Sequence, residues 1–207
     1  RAISNVKRQS YKNIQHIIVD GASTDDTALL SLPILGSEDI FKSEPDMGIY
    51  DALNKGLSLA DGDIVAFLHS DDLYFDDNVI SQVVEIFSDN SIDVVYGDAC
   101  FFPEHKINKI RRRYRSNKLS ELNLAWGKMP AHPAMFIRQR IYNDIGCFRI
   151  DFKIAGDYEF LCRLVQHPNL KTVYLSKVLV KMQLGGVSTG GLKNTILLNK
   201  EVIRALH

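Results

Sequence analysis

Five short segments carry residues whose types and spacing could do chemistry. Ser70-Asp71-Asp72 sets two carboxylates side by side. They repel each other, and a bound cation is a simple way to keep both ionised. Oxygen-only ligands favour Mg2+ or Mn2+, which one or two carboxylates commonly hold together with substrate phosphates. The plain alternative is that the pair caps the next turn. In Asp20-Gly21-Ala22-Ser23, an aspartate could accept hydrogen bonds from the N–H of a base or from ribose hydroxyls, and the glycine admits a ligand to the backbone. Asp-Gly is equally an ordinary turn.

The stretch from Glu44 to Gly56 places Asp51, Asn54 and Lys55 on the polar side of a helix. Asp51 and Lys55 stand four apart, a favourable surface pair; Asn54 beside Lys55 would also suit a nucleotide, and spacing does not separate the two. Ala155-Gly156-Asp157-Tyr158-Glu159-Phe160 puts an acid at a helix start. Helix capping is one explanation of Asp157; a general base facing a sugar hydroxyl is the other. His69 and His132 could be ligands or substrate contacts, or satisfied structural histidines.

Positioning these groups requires strands and helices in alternation. Ile14 to Val19 reads as a strand leading to a helix that starts near Thr24, and Ile40 to Ser43 as a second strand. Ile49, Leu53, Gly56, Leu57 and Ala60 recur at helical spacing, and Ile64 to Leu68 is apolar on both faces, as a central parallel strand should be. A helix through Val79 to Phe87 leads to a strand at Val94 to Asp98. Asp20, Asp71, Asp72 and Asp98 are thus expected just past strand ends, the edge where open α/β sheets bind ligands. Beyond Asp98 a hairpin (99–102 with 109–114), further short elements and a final amphipathic helix (192–206) are expected.

The 207 residues balance 25 Lys+Arg against 25 Asp+Glu, yet the balance is uneven along the chain. Residues 1–98 hold 18 acids and 6 bases, a net −12; residues 99–207 hold 7 acids and 19 bases, a net +12. Cys100, Cys147 and Cys162 have no ligand spacing, which argues against a disulfide framework and a zinc site and fits a reducing cytoplasm. The longest apolar run, Ile64 to Leu68, falls far short of the roughly 20 residues of a membrane span. The Arg111 to Arg115 run could attract an anionic membrane face or a lipid-pyrophosphate, or be a solvated edge strand. Nucleic acid is disfavoured as a partner, because the acidic first half would repel phosphate.

Taken in order, Gln9 to Thr27, Ser43 to Gly56, Ala60 to Asp72, His132 to Arg138 and Ala155 to Phe160 resemble family 2 glycosyltransferases of the GT-A fold, especially bacterial enzymes of exopolysaccharide and lipopolysaccharide synthesis. The resemblance implies an α/β, Rossmann-like and mostly parallel sheet flanked by helices, with a smaller antiparallel acceptor-side portion. It implies one domain over 1–207: a nucleotide- and metal-binding half (1–98), an acceptor half (99–190) and a C-terminal helix (191–207). The activity it implies is inverting transfer of a sugar from a nucleotide donor, expected to be a UDP-sugar, to a glycan or lipid-linked acceptor.

In that reading Asp20 contacts the base, Asp71 the ribose, and Asp72 holds Mg2+ or Mn2+ as the metal-binding aspartate of a DXD-like motif. Asp46, Asp51 and Asn54 shape the nucleotide pocket, Asp157 is the base, and His132 and Glu159 lie on the sugar side. The expected location is cytoplasmic, with peripheral attachment at the inner face of the membrane. Two departures stand out: family members usually begin with a strand, whereas this chain begins in the following helix, and Met47 and His69 stand where Lys and Asn are more usual. A degenerate sugar-nucleotide-binding subunit and, less favoured for want of a Gly-rich phosphate loop, a sugar-phosphate nucleotidyltransferase are the alternatives.

Overall fold

The chain opens in a helix, Ala2–Lys7 (α1), whose buried Asn5 exchanges two hydrogen bonds with the backbone of Tyr74 (3.2 and 2.7 Å). These coordinates are a computed structural model describing residues 1–104, 106–116, 118–185 and 191–206. The expected end of the acceptor half at 186–190 and the last residue of the C-terminal helix lie outside the described residues.

Ile17–Asp20 (β1) pairs in parallel with Ile40–Ser43 (β2), across a crossover that contains Thr27–Ser31 (α2). The helix starts three residues later than Thr24, because Asp25 turns back to accept the Thr27 N–H at 3.0 Å. Ile49–Leu59 (α3) packs on β1 and leads into Ile64–Ala66 (β3); Leu73–Tyr74 (β4) and Val79–Ile86 (α4) follow. The second half adds Val94–Phe102 (β5), Arg112–Tyr114 (β6), Glu121–Ala125 (α5), Met135–Arg138 (β7), Gln139–Ile145 (α6), Gly156–Val165 (α7), Thr172–Gln183 (β8) and Leu192–Ala205 (α8).

The larger sheet runs β3-β7-β5-β8-β4, with β6 paired to β5. Its α/β class and flanking helices are as expected, and the sheet is mixed. β5 and β8 are parallel neighbours, and β3 shares their direction because antiparallel β7 lies between β3 and β5. That insertion leaves β3 at the end of the hydrogen-bonded order, not at its centre as its apolar run suggested, and only Val65 of its three residues is fully buried. A second correction concerns Asp98. It lies inside β5, not past its end, because β5 runs on through the expected hairpin and pairs Ala99 with Tyr114.

Side chains alternate across β5 and β7 with the period of a strand. Val94, Tyr96, Met135 and Ile137 face a core with Tyr50, Leu57, Ile141, Phe148, Phe160 and Leu164. Val95 and Phe136 face a second core with Val79, Val83, Phe87 and Leu179. Each such side chain contributes roughly 1.5–3 kcal/mol on burial, so helices on both faces hold the strand ends in fixed positions.

Candidate active site

Asp20, the last residue of β1, is buried at 7% exposure, and its carboxylate is fully engaged. Its Oδ2 accepts the Ser43 hydroxyl of neighbouring β2 at 2.6 Å and the Ser23 N–H at 3.0 Å, while Oδ1 accepts the Ser23 hydroxyl. Ala22 adopts a left-handed φ of 59° to let Ser23 turn back, a strained conformation for a residue with a side chain. The Ser23 and then the Ser43 hydroxyl hold the Asp20 carboxyl below the usual carboxylate range, against the opposing effect of burial.

The loop after β2 lies over this turn. A Cβ added to Gly21 would collide with Asp46 Oδ2, so the glycine lets the two loops lie as close as they do. Asp46 accepts the Gly48 N–H at 2.9 Å, and Asp51 accepts the Met47 N–H at 3.0 Å. Lys55 ties the loop down through Pro45 O (2.6 Å), Glu44 and Asp51 (3.2 Å each). Asp46 is thus placed beside the Asp20 turn, whereas Asp51 forms the i,i+4 pair and shapes the loop from behind. Asn54 is occupied elsewhere: its amide donates to Phe148 O (2.8 Å) and accepts from Phe148 N (2.9 Å), joining α3 to the segment before α7.

Past β3, Asp71 and Asp72 occupy the turn into β4. Asp72 is 3% exposed, and its Oδ2 has no hydrogen-bond partner among the described residues. Burial, and then the charge of Asp71, push its carboxyl up to about 7, against the opposing Gln183 N–H. A buried carboxylate oxygen without a partner is costly, and a cation is the ligand that reverses both causes of the shift. The residues present therefore fit a divalent ion held by Asp72 with Asp71 beside it. Among the described residues no three His, Cys, Asp or Glu side chains form a cage, which leaves the remaining coordination to substrate oxygens or water, as Mg2+ commonly has it.

His132 begins the turn before β7 and stacks on Phe67 at 5.6 Å, with Phe148 edge-on at 5.4 Å. Burial pushes its pKa down to about 3, aided by neighbouring His69, so it is a neutral member of a ring cluster. Phe148 continues that cluster to Tyr50 at 6.0 Å, linking the end of β3 to the start of α3.

Asp157 is the second residue of α7, after N-cap Ala155. The helix entry is satisfied by Glu201 of α8, which accepts the N–H groups of Lys153, Ile154 and Ala155 at 2.8–2.9 Å. Asp157 itself lies inside the first turn and is not the N-cap. Its Oδ1 accepts the Tyr158 N–H (2.9 Å) and lies 3.2 Å from the Tyr50 hydroxyl. Burial raises its pKa, and those two donors oppose the rise. Glu159, by contrast, makes a two-pronged bond with Arg163 (2.8 Å for each) that braces the segment between α6 and α7.

Asp20 and Asp46 meet across two loops, Asp71 and Asp72 share one turn, and Asp157 reaches the start of α3 through Tyr50. Between these points Asn54 is bonded to the Phe148 backbone, Glu159 to Arg163, and His132 is stacked on Phe67. Sequence reasoning missed Ser43, Tyr50 and Glu201. Tyr50 lies within the segment that drew attention to Asp51 and Asn54, and the Gly156-Asp157 pair marked a close approach by another element.

A mixed sheet covered by helices, with carboxylates at the ends of β1 and β3, defines an α/β domain of the GT-A class. The chain belongs to glycosyltransferase family 2: the model for "Glycosyl transferase family 2" matches residues 1–148. It is 29% identical over 209 residues to a "PGL/p-HBAD biosynthesis glycosyltransferase" of Mycobacterium tuberculosis, covering 99% of this chain and 77% of that one. It is 36% identical over 169 residues to an uncharacterized glycosyltransferase of the same species, covering 79% and 62%.

Among solved structures it is similar to S. aureus TarS 1-349 in complex with UDP-GlcNAc (TM-score 0.74, 16% identity, 99% of this chain and 61% of that one). It is also similar to the mannosyltransferase PcManGT of Pyrobaculum calidifontis in complex with GDP-Man and Mn2+ (TM-score 0.65, 19% identity, 98% and 59%). At these identities the likeness is one of fold, and the chain spans about three fifths of either solved chain.

Proposed function

We propose that this chain is the donor-binding and catalytic region of an inverting glycosyltransferase that moves a sugar from a nucleotide donor, read as a UDP-sugar, to a glycan or lipid-linked acceptor. The observation that carries the reading is Asp72, a buried carboxylate with one oxygen left without a partner among the described residues. Residues 1–98 are read as the donor half and 99–190 as the acceptor half of one catalytic unit. In TarS the bound molecule is UDP-GlcNAc and in PcManGT it is GDP-Man with Mn2+, which supports a nucleotide-sugar donor and a divalent ion here.

Asp20 and Asp46 receive the base side of the nucleotide, Asp71 the ribose, and Asp72 the ion. Bound there, the ion would neutralise the charge of the departing nucleoside diphosphate. Asp157 takes the proton of the acceptor hydroxyl on its Oδ2, the oxygen that neither Tyr50 nor the Tyr158 N–H engages, while the acceptor oxygen attacks the anomeric carbon from the side opposite the leaving group. Leu122 (71% exposed) and Trp126 (75%) project from α5 and its end beside Lys118 and Lys128, and Tyr114 of basic β6 bonds Met129 O at 2.7 Å. That apolar and basic face supports peripheral attachment to an anionic membrane. No helix among the described residues is long and apolar enough to cross one.

The test is UDP release from a panel of UDP-sugars with Mn2+, with and without candidate acceptors, in the wild type and in Asp157→Asn. One donor should be turned over by the wild type, and Asp157→Asn should lower turnover about 10^2- to 10^4-fold, the usual contribution of a general base. Turnover unaffected by Asp157→Asn would contradict the assignment of the base.

A further inference from the structure

Tyr50 stands where the donor side meets Asp157, and its surroundings exceed what packing alone requires. The residue is 5% exposed, with its ring flat against the start of α7: a Cβ at position 156 would sit 2.8 Å from three atoms of that ring. Its hydroxyl lies 2.6 Å from Ile154 O and 3.2 Å from Asp157 Oδ1. A phenol has a single proton, so these two acceptors share one donor. Burial, and then the Asp157 charge, keep the phenol protonated well above its ordinary range.

We propose that Tyr50 is a positioning residue that holds the carboxylate of Asp157 by Oδ1 and leaves Oδ2 to receive the acceptor proton. This rests on the reading of Asp157 as the base. While Asp157 is ionised, the Tyr50 proton bonds Oδ1. During transfer the acceptor O–H bond breaks and Oδ2–H forms, the acceptor oxygen bonds the anomeric carbon, and the nucleoside diphosphate departs with the electron pair of its bond to that carbon. The Tyr50 proton stays on its own oxygen and turns to Ile154 O, the nearer acceptor, once Asp157 has lost its charge.

The other titratable groups around Asp157 do not duplicate this role. Tyr114 of β6 feels the Asp157 charge without a hydrogen bond to it, Tyr158 contributes its backbone N–H, and the Glu201 carboxylate is engaged with the N–H groups upstream. Because α3 starts in the loop that carries Asp46, Tyr50 also joins the donor loop physically to the base.

The experiment is a pH titration of the Asp157 carboxyl carbon by 13C NMR in the wild type and in Tyr50→Phe, with the resonance assigned by its loss in Asp157→Asn. Phenylalanine keeps the ring on Gly156 and removes only the hydroxyl. Loss of a donor to the ionised form raises the pKa, so the midpoint should move up by about one pH unit, the size expected for one hydrogen bond to a charged group. With the UDP-sugar that the wild type turns over, kcat at neutral pH should fall about tenfold with KM within about twofold, the pattern of a group that acts after binding. UDP affinity in Mn2+, measured by calorimetry, should be unchanged and so certify the fold. An unchanged or lowered midpoint overturns the role of Tyr50 alone, whereas full turnover by Asp157→Asn overturns the base beneath it.

Discussion

Asp20 and Asp72 both lie buried at turns that follow short strands of one fold, and their surroundings are opposite. Asp20 takes three hydrogen bonds from two serines, which hold its carboxyl low. Asp72 has one oxygen with no partner among the described residues and a pKa pushed up to about 7. The difference separates two uses of the same side chain. A carboxylate already filled by O–H and N–H donors is fixed in direction and can offer only its remaining lone pairs to a base or ribose. One that is buried and unfilled has its solvation still to be completed, and a cation completes it.

The second half repeats the contrast. Asp98 within β5 is held by Arg113 (2.6 Å), Ser116 N (2.9 Å) and Tyr174 (2.7 Å), and Glu159 by Arg163. Asp157 instead takes the Tyr158 N–H and a phenol shared with Ile154 O, and no cation is bonded to it among the described residues. The most damaging change should therefore be Asp157→Asn, with donor turnover down about 10^2- to 10^4-fold while Asp98→Asn, measured in parallel, acts through stability. Equal losses of turnover per folded molecule would remove the distinction between filled and unfilled carboxylates.

Gly156→Ala addresses the same contrast through packing. The new Cβ would meet the Tyr50 ring at 2.8 Å, and overpacking of a tight contact costs roughly 1–3 kcal/mol. Urea denaturation should show that loss, together with a drop in turnover larger than the unfolded fraction explains. A variant as stable as the wild type would mean that the two helices are not in register through this contact.

Much of this was legible before the structure because the relevant signals are local. β2 and α3 fall where apolar spacing and an intervening Pro-Asp-Met-Gly turn put them, and Asp71 and Asp72 follow an apolar run that does form a strand. The mixed direction of the sheet was not legible, since β7 starts 69 residues after β3 ends and 33 after β5 ends and yet enters between them, and no local pattern records a strand's neighbours. For the same reason the bonds of Asn54 to the backbone of Phe148, 94 residues distant, were not legible.

A further effect, confined to acid pH, concerns His132. Its pKa of about 3 in the folded chain lies below the value of about 6.5 expected when unfolded, so the unfolded chain binds the proton more readily. Its contribution to stability is complete above about pH 6.5 and is lost progressively as pH falls towards 3. His132→Phe, which keeps a ring against Phe67, should flatten the fall of the urea midpoint between pH 6.5 and 4; an unaltered slope would place the acid sensitivity elsewhere.

The distinction between the two strand-end carboxylates is tested most directly by calorimetric titration of Mn2+, in the presence of UDP, into the wild type, Asp20→Asn and Asp72→Asn. The expected result is a Mn2+ response that survives Asp20→Asn, with UDP affinity alone reduced, and that falls at least about a hundredfold in Asp72→Asn, the scale of losing a charged ligand. Undiminished Mn2+ binding by Asp72→Asn would contradict the assignment of the ion to Asp72.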